Sequence, residues 1–142
     1  MEKLSKRTII SMVITGVWLV VIWGHSMVPA SISDEESLGF LEILARVVPF
    51  ELTNYMIRKT AHFTEYAILG ALLYNAYYDN AIQIIRKIVY ATITAWFIAF
   101  FDETIQLFVE GRAGLISDVW LDLCGAVVAI ILTCVIIKLR HK

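Results

Sequence analysis

Cysteine and proline are scarce in this sequence, with two of each in 142 residues, and glycine contributes only seven. Cys124 and Cys134 fall inside one apolar run, so they imply neither a disulfide framework nor a paired-cysteine metal centre. With so little proline and glycine there is no linker or low-complexity tract to divide the chain, and no internal repeat stands out, so residues 1–142 read as one domain. Charge is low as well. Charged residues make up 18%, and 12 basic against 13 acidic side chains leave a formal net charge of -1. That balance offers no basic face for nucleic acid. No nucleophile elbow or phosphate-cradling glycine loop is present, which removes the standard enzyme signatures.

What the chain does have is apolar length. Hydrophobic residues make up 59% and the mean hydropathy is +0.74, above the roughly 45–50% apolar content of soluble domains. Thr8 to Trp23 contains no charge, Ala61 to Tyr78 only His62 and Glu65, Ile88 to Phe101 none, and Val119 to Ile137 only Asp122. With their flanks these runs approach the ~20 residues a helix needs to cross a bilayer. The expected fold is an all-α membrane bundle of four transmembrane helices.

Orientation follows from the flanking cations. Lys3, Lys6 and Arg7 precede the first span, Arg86 and Lys87 fall in the connection between the second and third, and Lys138, Arg140 and Lys142 follow the fourth. The positive-inside rule makes these segments, and both termini, cytoplasmic. A basic start followed by Val28-Pro29-Ala30 also loosely fits a cleaved signal peptide, a minor reading beside a first span. The segment from His25 to Ile57 carries five acids against Arg46 alone and belongs outside. Within it, Ser33 and Glu36 have the spacing of a capping box, predicting a helix start there. Leu38, Leu41, Ile43, Leu44, Val47 and Val48 give that helix an apolar stripe, and Pro49 ends it, as in a short amphipathic extracytoplasmic helix between the first and second spans.

Polar chemistry concentrates at one depth. At about 1.5 Å per residue, Asp122 lies 16 residues or about 24 Å before Lys138, and Glu103 the same distance after Lys87 with Asp102 beside it. His62 and Glu65 precede Asp79 by 17 and 14 residues, about 25 and 21 Å. Three helices therefore place ionisable groups in one outer layer. Residues three, four and seven apart share a helix side, so Arg58, His62 and Glu65 form one stripe, and Asp102 aligns with Gln106. Asp118 and Asp122 align with Gly125, Ala126 and Ala129, whose small side chains admit a close helix neighbour. Charges facing lipid are costly, so these stripes should converge on the bundle interior. In the loop "VEGRAGLISD" two glycines flank Arg112 and permit a turn that aims its guanidinium inward. Glu65, Asp102, Glu103, Asp118 and Asp122 outnumber Arg58, Lys59 and Arg112, an excess to be relieved by a protonated carboxylate, a charged His62 or a bound divalent cation.

Three stretches, "RKTAHFTEY", "DETIQLFVEGR" and "DVWLDLCGA", resemble the signature blocks of the VanZ-like family of small bacterial membrane proteins. The resemblance carries over to Arg58, Lys59, His62, Glu65, Tyr66, Asp102, Glu103, Gln106, Gly111, Arg112, Asp118, Asp122 and Gly125. Phe101 departs from it, standing where a small hydroxyl residue often precedes the acidic pair, as does Ala129, where glycine is frequent. It implies a protein of the bacterial cytoplasmic membrane associated with resistance to teicoplanin and related lipoglycopeptides, which act at the outer face on peptidoglycan precursors.

Two functional classes fit these residues. In a binding module, Arg58, Lys59 and Arg112 hold an anionic lipid head group, such as a phosphate of a cell-wall precursor, while the acids orient them. In a membrane enzyme, His62, Glu65, Asp102 or Glu103 serves as general acid or base on such a lipid, with His62, Glu65, Asp102 and Asp122 as candidate ligands for a divalent metal. A proton-coupled transporter is weaker, because the cytoplasmic half has few polar residues. The bland reading is buried ion pairs that set helix register. His25, His141, Trp18, Trp23, Tyr74, Tyr77 and Tyr78 read as interfacial anchors.

Overall fold

Residues 6–44, 53–77 and 83–140 are described by the structure, a computed structural model. Among them every regular element is helical: α1 (Lys6–Ser26), α2 (Ala30–Leu44), α3 (Asn54–Ala76), α4 (Ile84–Gln106) and α5 (Ile116–Arg140). Three are long and apolar enough to cross a membrane: α1 from Thr8 onward, α4 and α5. Their outward faces carry Val17, Val20, Phe97, Phe100, Ile131 and Val135, all exposed, an apolar exterior suited to lipid.

The second expected span, α3, matches them in length, since 23 residues extend about 34 Å. It falls short on composition because Arg58, Lys59, His62 and Glu65 occupy its first half. That helix is nevertheless the hub of the bundle, packing most extensively on α5 and then on α1 and α4. Thr53 caps it by accepting from the Met56 N–H at 3.2 Å.

Small residues let the hub form. A Cβ on Gly70 would lie 2.3 Å from the Ala126 carbonyl oxygen, and one on Gly125 would lie 2.4 Å from that of Phe63. Backbones of α3 and α5 therefore touch, and each helix supplies one glycine to the crossing. On α4, Ala91, Ala95 and Ala99 are fully buried at four-residue intervals, and the same face continues into Asp102, Glu103 and Gln106. Phe101 is 58% exposed and points away from that face, so the departure there leaves the interior unchanged.

Several expectations need correction. The helix after α1 begins at Ala30 rather than at Ser33, because Pro29 is already followed by a helical hydrogen bond from the Ser33 N–H to its carbonyl at 3.1 Å. Ser33 is thus inside α2 and is not its cap. Pro49, Val47 and Val48 lie outside the described residues, as do Tyr78 and His141. Arg86 and Lys87 belong to the first turns of α4 rather than to a connection, and Lys87 is buried. Tyr74 is a core residue, 2% exposed on the α3 face of Tyr66 and Gly70, because the four-residue spacing turns all three toward α5.

Candidate functional site

Where α3, α4 and α5 meet, near the start of α5, each contributes one polar side chain to the interior. His62 comes from α3, one turn before Tyr66, Asp102 from the end of the alanine face of α4, and Asp122 from α5, one turn before Ala126. One ligating atom from each lies within 4.8 Å of the other two. Both aspartates are fully buried. His62 Nδ1, Asp102 Oδ1, both Asp122 oxygens and the Tyr66 hydroxyl are buried without a hydrogen-bond partner among the described residues. Gln106 Nε2 donates to the other Asp102 oxygen at 3.4 Å, a long bond.

The remaining charges of this layer have partners. Lys59 pairs with Asp118, tying α3 to the first turn of α5. Arg58 Nη1 donates to Asp34 Oδ1 at 2.9 Å, and Asn54 Nδ2 donates to the same oxygen at 3.0 Å, so α2 is held on α3. Glu65 Oε1 meets His25 Nδ1 at 2.5 Å, and Trp18 Nε1 donates to the Glu65 carbonyl at 3.0 Å, joining α3 to α1. Glu103 Oε2 accepts the Leu115 N–H at 2.8 Å just before α5 begins, while its Oε1 accepts from Gln106 at 3.2 Å. The Glu103 carboxylate thus caps the chain entering α5.

Glu65 accordingly does not join the other candidate metal ligands. Three residues leave Glu65 only about 60° round the helix from His62, so both border the cleft, but that offset carries the Glu65 carboxylate to His25 of α1 while His62 reaches the aspartates of α4 and α5. The acid excess is therefore localised: after Glu65, Glu103 and Asp118 have found donors, Asp102 and Asp122 are left.

Arg112 sits in the α4–α5 loop, where Gly111 adopts φ +72°, a conformation that favours glycine. Its Nε donates to the Val28 carbonyl at 2.8 Å and its Nη2 to the His25 carbonyl at 3.0 Å. Burial, and after it the neighbouring Arg58 guanidinium, lowers the Arg112 pKa from its ordinary value, yet a guanidinium stays protonated at physiological pH.

A cleft of about 620 Å³ opens between α1, α2 and α3. Arg58, His62, Glu65 and Arg112 line it together with apolar Val28, Ile57 and Ala61. His62 therefore borders both the cleft and the buried aspartates. His25, Ser33 and Ser37 also line the cleft. Reading His25 as an interfacial anchor missed its place there, and the sequence offers no signal for it beyond a basic residue in the last turn of α1.

A family model, VanZ/LLP1, matches residues 11–138. The chain belongs to the VanZ/LLP1 family. Comparisons with curated proteins and with solved structures return no match. In this VanZ/LLP1 protein the three motif stretches each supply one member of the His62–Asp102–Asp122 cluster, and membership together with the apolar helices identifies a membrane protein.

Proposed function

We propose that this VanZ/LLP1 protein binds the anionic head group of a lipid-linked cell-wall precursor at the outer face of the bacterial cytoplasmic membrane, lowering susceptibility to teicoplanin-type antibiotics. In this reading α1, α3, α4 and α5 all span, α2 lies along the outer interface, and both termini are cytoplasmic. Supporting the orientation, Arg86, Lys87, Lys138 and Arg140 gather at the end opposite the cleft, as cytoplasmic flanks do.

The observation that carries the reading is the cleft itself. It combines two guanidinium groups with apolar walls, as an amphiphile with a phosphate near its chain requires. Arg58 uses one guanidinium nitrogen on Asp34, and a guanidinium has five N–H donors in a planar fork, which leaves donors for phosphate. Asp34 then serves as an orienting carboxylate.

The test is binding of a polyprenyl-phosphate-anchored precursor to the purified protein in nanodiscs, alongside antibiotic susceptibility of cells expressing it. Arg58→Ala should weaken binding at least tenfold and restore teicoplanin sensitivity, whereas Arg86→Ala, at the other end, should do neither. Equal binding by wild type and Arg58→Ala rejects the cleft as the head-group site. The membrane-enzyme reading is favoured by one observation, the buried His62 at the cleft wall. It predicts turnover of the bound lipid that His62→Gln abolishes while binding persists.

A further inference from the structure

The buried cluster behind the cleft supports an inference that stands apart from head-group binding. His62, Asp102 and Asp122 come from three different helices, yet their ligating atoms lie within 4.8 Å of one another. A metal held at about 2.1 Å in tetrahedral geometry separates its ligands by about 3.4 Å, so the three atoms must draw together by up to about 1.4 Å, within reach of side-chain rotation, to close around one ion.

Independent of that proximity is the state of the carboxylates. Asp122 has 0% exposure and neither of its oxygens has a hydrogen-bond partner among the described residues. Asp102, also at 0%, has one such oxygen, with the buried Ser26 hydroxyl beside that carboxylate, and His62 Nδ1 is likewise buried and unpartnered among the described residues. The neighbouring acids show how unusual this is: Asp118 has Lys59, Glu65 has His25, and Glu103 has the Leu115 N–H and Gln106. Buried carboxylates are ordinarily paired, hydrogen-bonded or metal-bound, and two of them side by side repel each other.

We propose that His62, Asp102 and Asp122 form a binding site for one divalent first-row transition-metal ion, of the Mn²⁺ or Zn²⁺ type. Two carboxylates cancel the ion's charge, which makes the assembly neutral in the apolar interior. The imidazole selects against Mg²⁺ and Ca²⁺, which prefer all-oxygen shells of six or more ligands. Lack of sulfur among the three ligands selects against Cu⁺. Because His62 also borders the cleft, the ion stands at the cleft wall, where a position beyond the protein ligands can take water or an oxygen of a bound molecule.

The experiment uses the full chain, tag removed, in nanodiscs without any precursor lipid, so its outcome is separate from head-group binding. MnCl₂ and ZnCl₂ are titrated by calorimetry, and retained metal is counted by elemental analysis after desalting. Wild type should hold one ion per chain at micromolar or lower Kd, at least tenfold tighter than MgCl₂ or CaCl₂. Asp122→Asn and His62→Gln should each weaken binding at least tenfold, while His25→Gln, exposed in the cleft, should leave it unchanged. Should the variants fail to fold, the Mn²⁺ electron spin-echo spectrum of wild type decides, because a coordinated imidazole gives a ¹⁴N modulation. Absence of a stoichiometric ion in wild type, binding that survives Asp122→Asn, or Mn²⁺ without nitrogen coupling would each overturn the assignment.

Discussion

Arg112 closes the end of α1: its Nε reaches the Val28 carbonyl at 2.8 Å and its Nη2 the His25 carbonyl at 3.0 Å, across more than 80 residues of chain. The carbonyls that follow the last turn of a helix lack intrahelical donors, and a guanidinium fork can serve two at once. Arg112→Lys retains the charge and loses the fork. It is expected to lower stability by about 1–2 kcal/mol, the scale of one or two charged hydrogen bonds partly replaced by water. Unfolding of the purified protein in mixed micelles against rising SDS measures this, and a midpoint unchanged from wild type would mean that charge alone suffices.

Glu103 invites a different test, because it was a candidate general acid or base and is found capping the entry to α5. Its Oε2 receives the Leu115 N–H, which in Glu103→Ala loses that acceptor at a cost of about 1–3 kcal/mol. Glu103→Gln still offers an amide oxygen and should stay within about 1 kcal/mol of wild type, with teicoplanin susceptibility unchanged. A Gln variant that folds normally yet loses all activity would return Glu103 to the chemistry.

How these sites could be anticipated depends on whether helix geometry or chain reversal sets them. Depth counted along helices and the four-residue repeat bring His62, Asp102 and Asp122 to one level facing inward, and the three do meet. Gly125 and Ala126 likewise signal a close helix neighbour, although nothing in the sequence marks Gly70 as the glycine opposite. The pairs that escape sequence reading are those made by reversals. Asp34 reaches Arg58 only because α2 folds back over α3, and His25 captures Glu65 only because α1 ends beside it. Neither relation has a spacing rule. Of the four expected spans, α3 falls short of the composition of a membrane-crossing helix, because the residues that make it the polar hub also lower its hydropathy.

Gly125→Ala would place a Cβ 2.4 Å from the Phe63 carbonyl oxygen, a backbone atom that cannot rotate away. Either α3 and α5 separate or the helices distort, and overpacking of this kind costs about 1–3 kcal/mol or more. Gly16→Ala on α1 is the control, since nothing lies within 4 Å of its added Cβ, and there the better helix propensity should stabilise by up to about 1 kcal/mol. Opposite signs for the two substitutions, read from SDS unfolding midpoints, are the expected outcome. Matching signs would show that the α3–α5 crossing is looser than 2.4 Å implies.

The proposed topology makes a prediction independent of any ligand. In a background with Cys124→Ser and Cys134→Ser, a single cysteine is introduced at Ser31, exposed in the first turn of α2, or at Lys138, exposed near the end of α5. If α2 is extracytoplasmic and the C-terminus cytoplasmic, a membrane-impermeant maleimide added to intact cells lacking an outer membrane labels Ser31→Cys and spares Lys138→Cys until the cells are lysed. The cation bias favours this orientation because moving Lys138 and Arg140 across the bilayer is strongly opposed. Labelling of both positions in intact cells would mean that α5 and α1 do not stand on opposite courses through the membrane. Labelling of Lys138→Cys alone would invert the protein, put the cleft on the cytoplasmic side and remove an extracellular precursor from reach of Arg58.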